Sequence, residues 1–187
     1  MNAENENDRD DPGEPFPEER REPIPRILYS FYEERPFRTC TRCGESLAEF
    51  EEGYRVSKNF KQDEVIIEYA LCFPCLENMM NEASDESKAA LARFQHDRLR
   101  DVSGFDECSL CERTMAEARG DEYALMAMCQ GNDMFDSAMV CIDCMQEMAE
   151  IISDETRQSW NRFREENFPG VPADFEPMPS RPAPMIF

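Results

Sequence analysis

Positive charge, histidine and long apolar runs are all scarce in this sequence. Among its 187 residues, 20 are Lys or Arg and 41 are Asp or Glu, which gives a formal net charge of −21. A field of that sign repels phosphate backbones, because nucleic-acid binding relies on basic side chains that displace counterions. His96 is the only histidine and lies among charged residues. We therefore read His96 as a solvated helix residue and expect no Cys–His nucleophile elsewhere.

The chain also lacks the features of export or membrane insertion. No segment approaches the ~18 apolar residues of a membrane span, and the first residues contain neither a basic region nor an apolar stretch. We therefore expect a cytoplasmic protein. In that reducing compartment disulfides are disfavoured, so regularly spaced cysteines indicate metal binding or redox chemistry.

Composition divides the chain into four segments. Residues 1–25 are acidic and have little to bury, so we expect them to be disordered. Residues 169–187 form a Pro-rich tail that cannot sustain a helix or a central strand. Between them, residues 26–103 and 104–168 make two units, each so small that a metal or a disulfide is expected to stabilise its core.

The first unit begins with an apolar cluster. Ile27, Leu28, Phe31 and Tyr32 fall on one face if this segment is helical. We expect that face to cover the first cysteine site.

The two central units are copies of one repeat. The motif Phe-x-x-Cys-x-x-Cys ends at Cys43 and again at Cys111, 68 residues later. A second Cys-x-x-Cys pair follows in each copy at an offset of 69 residues, which indicates one extra residue in the second copy. The four pairs are Cys40 and Cys43, Cys72 and Cys75, Cys108 and Cys111, and Cys141 and Cys144.

Each copy predicts the same order of elements. In the first copy, the β-rich runs 53–56 and 65–71 predict a hairpin after the first cysteine pair. The second pair then begins a helix, whose apolar residues recur at helical spacing over 76–80. Ser84 and Ser153 are placed as N-caps of a further helix in each copy.

The cysteine spacing predicts two sites with four thiolates each. Two residues between cysteines allow one tight turn to aim both sulfurs at one point, and a second such turn completes a tetrahedron around Zn²⁺. We expect two structural Zn²⁺ per chain, bound sequentially, because a duplicated unit should carry its own complete site. With four thiolates per ion no position stays open for catalysis.

A turn with two cysteines, a hairpin and a helix that supplies two more cysteines resembles the treble-clef zinc finger. The resemblance covers residues 37–81 and 105–152 and implies an α+β fold of two tandem treble-clef-like units, each followed by a second helix. It is a resemblance of architecture to a class with many functions.

Four other interpretations of the cysteines stay open at this point. A rubredoxin-like iron site usually has a glycine after each pair, where Leu76, Glu112 and Met145 stand. Thioredoxin-type redox chemistry needs one pair beside a βαβ pattern. A RING-like cross-brace would join the first pair to the third, and disulfides would require an oxidising compartment.

Other residues are read as structural. The unpaired Cys129 matches Phe60 in the repeat, which indicates a buried thiol. The methionines of the second copy are expected to fill its core, with a partner-binding groove as the alternative. Arg35, Arg38 and Arg42 precede or enter the first turn, but neighbouring glutamates neutralise them.

These observations favour a non-enzymatic, zinc-stabilised protein–protein interaction module or adaptor with a basic protein partner. The alternative is an acidic regulator or nucleic-acid mimic that occupies the basic groove of a nucleic-acid enzyme. An enzyme has little support, because no pair of carboxylates stands out by spacing.

Overall fold

All strands among residues 21–168, which a computed structural model describes, belong to one antiparallel sheet with the order β1-β5-β4-β2-β3. Five helices accompany this sheet, so the fold is mixed α+β as expected. The strands are β1 (Glu22–Pro23), β2 (Tyr54–Lys61), β3 (Glu64–Cys72), β4 (Glu122–Gln130) and β5 (Asp133–Cys141), and the α-helices are α1 (Phe73–Asn81), α2 (Asp85–Arg98), α3 (Met115–Ala118), α4 (Ile142–Ile151) and α5 (Asp154–Asn167).

The predicted hairpin is confirmed in both copies of the repeat. β2 pairs with β3, and β4 pairs with β5, both antiparallel. Gln62 and Asp63 join β2 to β3 with φ values of 51° and 67°, the left-handed backbone that tight hairpin turns require. In the second copy Gly131 has a φ of 59° at the corresponding turn.

The two hairpins join edge to edge through β2 and β4. Tyr54 lies opposite Cys129, and Phe60 lies opposite Tyr123. In the repeat, Tyr54 corresponds to Tyr123 and Phe60 to Cys129, so each copy offers the same strand to the other. The rings of Phe60 and Tyr123 stack with centroids 4.9 Å apart. The reciprocal register makes the two units one continuous sheet.

Each copy also closes the hairpin turn of the other. The Tyr54 hydroxyl donates to the carbonyl oxygen of Gly131 at 2.8 Å, and the Tyr123 hydroxyl donates to Oδ1 of Asp63 at 2.8 Å. The two tyrosines occupy equivalent positions, and both are 1% exposed. The turns are therefore held by side chains that arrive from the opposite unit.

A local twofold axis relates the two halves. On the sheet it passes between Ser57 and Met126, which are counterparts in the repeat and lie opposite each other. Among the helices it passes between Ser84 and Ser153, again counterparts, whose hydroxyl oxygens are 2.9 Å apart. The two caps therefore meet at the axis.

Four hydroxyl side chains satisfy the buried N-termini of α2 and α5. Both predicted N-caps are confirmed, because the Ser84 side chain accepts from the Ser87 N–H and that of Ser153 from the Thr156 N–H. The contacts are also reciprocal: the Ser84 N–H donates to Oγ1 of Thr156 at 3.0 Å, and the Ser153 N–H donates to Oγ of Ser87 at 2.8 Å. Two positive helix ends thus face each other through acceptors instead of bare N–H groups.

Each of these capped helices packs on the opposite half of the molecule. The ring of Phe163 on α5 lies edge-on to Tyr69 of β3, with centroids 5.8 Å apart. On α2, Arg98 forms an ion pair with Glu147 of α4. The helix that follows each unit therefore covers its neighbour.

The expected helical face at the start of the first unit is wrong. Only Arg26–Leu28 forms a short 3-10 helix. Leu28 is fully buried, whereas Phe31 and Tyr32 are 67% and 88% exposed. The reason is a competing polar anchor: the Phe31 N–H donates to both carboxylate oxygens of Glu68, at 2.8 and 3.0 Å.

The expected disorder of residues 1–25 fails for the last five of them. Glu22 and Pro23 pair with β5, and Ile24 is buried with its N–H donating to the carbonyl oxygen of Asn132. This segment covers one edge of the sheet, and a proline is tolerated there because an edge strand needs fewer donors. Residues 1–20 and the predicted tail 169–187 lie outside the described residues.

Replacing Ser153 with Ala should destabilise the protein by about 1–3 kcal/mol, because it removes an N-cap and leaves buried hydroxyls without their acceptor. Urea unfolding of the variant measures the change. Ser46→Ala is the matched control, since Ser46 is an N-cap whose side chain makes no capping hydrogen bond. Equal midpoints for the two variants would contradict the structural role of the hydroxyl cluster.

Candidate metal centres

The first centre is assembled from a turn and from the junction of β3 and α1. Cys40 and Cys43 flank a turn in which the Gly44 N–H donates to the Cys40 carbonyl oxygen at 2.8 Å, with Gly44 at a φ of 74°. Cys72 ends β3 and is the N-cap of α1, and Cys75 lies in the first turn of that helix. The four Sγ atoms all lie within 4.8 Å of one another.

The second centre repeats this construction. Cys108 and Cys111 lie in a turn closed by the Cys108 N–H, which donates to the Arg113 carbonyl oxygen at 2.8 Å. Cys141 ends β5, and Cys144 lies in the first turn of α4. Their sulfurs again lie within 4.8 Å of one another. The Cys141 N–H points at the Sγ of Cys108, 3.5 Å away.

The sulfur spacings match a tetrahedral metal site. Four sulfurs at the usual Zn–S distance of about 2.3 Å stand roughly 3.8 Å apart. Cys43 and Cys72 are 3.9 Å apart at sulfur, and Cys111 and Cys141 are 3.6 Å apart. A disulfide would need about 2.05 Å, and all nine cysteines are free. The donor set therefore fits a thiophilic metal.

The grouping of the pairs follows chain order. The first pair meets the second, and the third meets the fourth. A cross-brace, which joins the first pair to the third, is excluded by this grouping. Each repeat thus contains one complete set of four sulfurs.

One sulfur in the first centre is much more acidic than its neighbours. Burial by itself would raise the pKa of Cys40, but hydrogen bonds from the backbone N–H groups of Cys43, Cys72 and Arg42 bring that pKa down to about 7. Burial raises the pKa of Cys72 to about 11 and that of Cys75 further. A metal that takes four thiolates therefore displaces protons from the raised sulfurs.

The second centre has its acidic sulfur at the equivalent position. Hydrogen bonds from the Cys141 and Cys144 thiols lower the pKa of Cys108. The same bonds raise the pKa of Cys141 to about 11, and they also raise the pKa of Cys144. In both repeats the first cysteine holds the negative charge that would receive a cation first.

Cations stand close to the second centre. Nη1 of Arg100 donates to the carbonyl oxygens of Cys108 and Cys111, at 3.2 and 2.7 Å. Arg113 pairs with Asp143 in the first turn of α4, at 3.0 Å. These arginines fix the turn and offset the charge of nearby thiolates.

The two centres differ in access to solvent. Cys43 is exposed and its counterpart Cys111 is half-buried, while the other six sulfur-bearing residues of the centres are buried. The four-sulfur sets leave no protein position for a water ligand, so the arrangement is suited to a structural ion.

Several residues read as structural from the sequence are placed as expected. The His96 side chain is 88% exposed and contacts Asp97, and Cys129 is fully buried on β4. Met139 and Met145 are buried in the core. Met126, in contrast, is half-buried and lines a cavity.

Two buried basic residues were missed by sequence reasoning. Arg55 and Lys58 on β2 are 1% and 3% exposed. The alternation along a strand predicts one solvated face, whereas both faces of β2 are covered here. Lys58 pairs with Glu68 at 3.0 Å, with both side chains less than 10% exposed. Only a sheet covered on both sides reveals these positions.

The Cys129 thiol should be inert in the folded protein, because burial raises its pKa to about 12 and the sulfur has no path to solvent. Reaction with a thiol reagent at pH 8, followed by peptide mass mapping, checks this. We expect no label at Cys129 in the native protein and full label in guanidinium. Native labelling as fast as that of a free thiol would contradict the assignment.

Among residues 21–168, no helix is long and apolar enough to cross a membrane. Comparison of the chain with family models, with curated proteins and with solved structures finds no match. The interpretation of the two centres therefore rests on the geometry of their sulfurs.

Proposed function

We propose that this protein is a non-enzymatic interaction module or adaptor whose fold is stabilised by two Zn²⁺, each in a treble-clef-like unit. The observation that carries the proposal is the pair of four-sulfur groups, spaced as the edges of a tetrahedron require. When bound, Zn²⁺ supplies folding free energy by linking a turn to the start of a helix.

Zinc is favoured over other metals by the donor chemistry. Thiolates select thiophilic metals, and a closed tetrahedral set of four is the common structural zinc site. In both centres the second pair ends a strand and begins a helix, which is the arrangement of a treble clef. Two closed centres also support a role outside catalysis, because catalytic zinc needs an exchangeable ligand.

Removing one ligand should remove one metal. Wild-type protein, purified under reducing conditions, should contain two zinc per chain by elemental analysis, and Cys72→Ser should contain one. The variant should also unfold at lower denaturant concentration, because its first turn is no longer tied to α1.

Cys129→Ala is the matched control, since this thiol belongs to neither centre, and it should keep two zinc. Metal-free wild-type protein that retains an unchanged circular dichroism spectrum would contradict a structural role. Visible absorption typical of an iron–thiolate centre would replace zinc with iron.

The exposed aromatic pair Phe31 and Tyr32 is the best candidate for a partner contact. The two rings meet edge to face with centroids 5.7 Å apart and project from a segment anchored to Glu68. Aromatic residues dominate binding hot spots. Glu33 and Glu34 follow directly and are exposed, so the surroundings of the pair suit a basic partner.

Replacing both Phe31 and Tyr32 with Ala should abolish capture of the physiological partner from host extract and leave folding intact, because both rings are solvent-exposed. Affinity capture with quantitative mass spectrometry measures the loss against wild type. His96→Ala is the control for an exposed ring outside this patch. Identical captured proteins for wild type and the double variant would contradict the assignment.

A further inference from the structure

A cavity of about 220 Å³ lies beneath α2, away from the exposed aromatic pair. Its floor is the helix-covered face of β4 and β5, and its roof is the end of α2 around Gln95 and Leu99. Apolar side chains make up most of the wall. Those contributed by methionine and leucine are Met126, Met128, Met148, Leu99 and Leu110.

The internal repeat shows why this space is open. Ala138 in the cavity is the counterpart of Tyr69, and Leu99 is the counterpart of Phe168. In the first half Tyr69, Phe163 and Phe168 pack their rings together with centroids about 6 Å apart. In the second half the ring at position 69 is replaced by a methyl group, and Leu99 is 65% exposed. The cavity thus corresponds to the place of an aromatic ring.

A buried positive charge borders the cavity. Arg55 on β2 is 1% exposed, lies opposite Met128 and contributes to the lining. Its counterpart in the repeat is Ala124, so only this half has the charge. Burial lowers the pKa of Arg55, and the nearby Tyr69 hydroxyl opposes that shift. A guanidinium remains cationic, and a buried cation is stabilised by an anion at hydrogen-bond distance.

We infer that this cavity binds a small apolar monocarboxylate, with its ring or branched chain against the methionines and its carboxylate toward Arg55. Apolar cavities of roughly 150 Å³ accommodate benzene, so the space suits one ring with a short side chain. The flexible methionine walls adapt to such a ligand. This inference is independent of the proposed metal sites and of the partner.

Asp136 sets the limit of one negative charge. This exposed side chain lines the mouth of the cavity and accepts the Ser137 N–H at 2.8 Å. It lies across β4 from Arg55, about 10 Å away at Cα. A second carboxylate on the ligand would meet Asp136 in repulsion, so dicarboxylates should be rejected.

Phenylacetate is a suitable probe, and phenylacetamide is its neutral isostere. Titration of the full-length, zinc-loaded protein labelled at its methionine methyl groups should shift Met126, Met128 and Met148. Phenylacetate should bind at least tenfold more tightly than phenylacetamide. In Ala138→Tyr, which restores the ring of the other half, phenylacetate affinity should fall at least tenfold, whereas Ala92→Tyr on the exposed side of α2 should bind as wild type.

Arg55→Met should remove the preference for the anion and retain weak binding of phenylacetamide. Should that variant fail to fold, the comparison of the two ligands on wild-type protein still tests the role of charge. Unchanged binding in Ala138→Tyr, or no methyl shift at millimolar phenylacetate, would overturn the inference. Binding that appears only after removal of residues 169–187 would also overturn it, because the occupant would then be the chain's own tail.

Discussion

The pairing of β2 with β4 is the interaction on which the rest of the structure depends. Each strand presents the same edge to the other, so the register that matches Tyr54 with Cys129 also matches Phe60 with Tyr123. Gly53 permits this approach, because a Cβ at that position would lie 2.5 Å from the Cys129 carbonyl oxygen. Two units too small to bury a core alone thereby share one sheet.

Covering both faces of that sheet has a cost in buried charge. Lys58 on β2 pairs with Glu68 and also donates to the Tyr29 carbonyl oxygen at 2.6 Å. Such a buried pair adds little net stability when compared with apolar packing, but losing one partner is expensive. Here Glu68 also receives the backbone of Phe31 and the hydroxyl of Ser30. The pair therefore fixes where the N-terminal segment crosses the sheet.

Departures from the repeat separate the roles of the two halves. The metal centres keep the same construction, because tetrahedral sulfur geometry leaves little freedom in the turns. The covered face of the sheet has diverged: Tyr69 fills the first half, while Ala138 leaves space in the second. Arg55 occurs in only one copy for the same reason, since packing tolerates a change wherever the sheet has a different cover.

The sequence by itself determined the local features of this protein. The Cys-x-x-Cys spacing, the hairpins, the helices that follow them and the caps at Ser84 and Ser153 all depend on neighbours along the chain, so periodicity and turn chemistry predict them. Tertiary structure alone decided how the copies meet, why Phe31 and Tyr32 are exposed, and where Arg55 lies. These depend on contacts between residues far apart in the chain, and one strand pattern is compatible with either one solvated face or two buried ones.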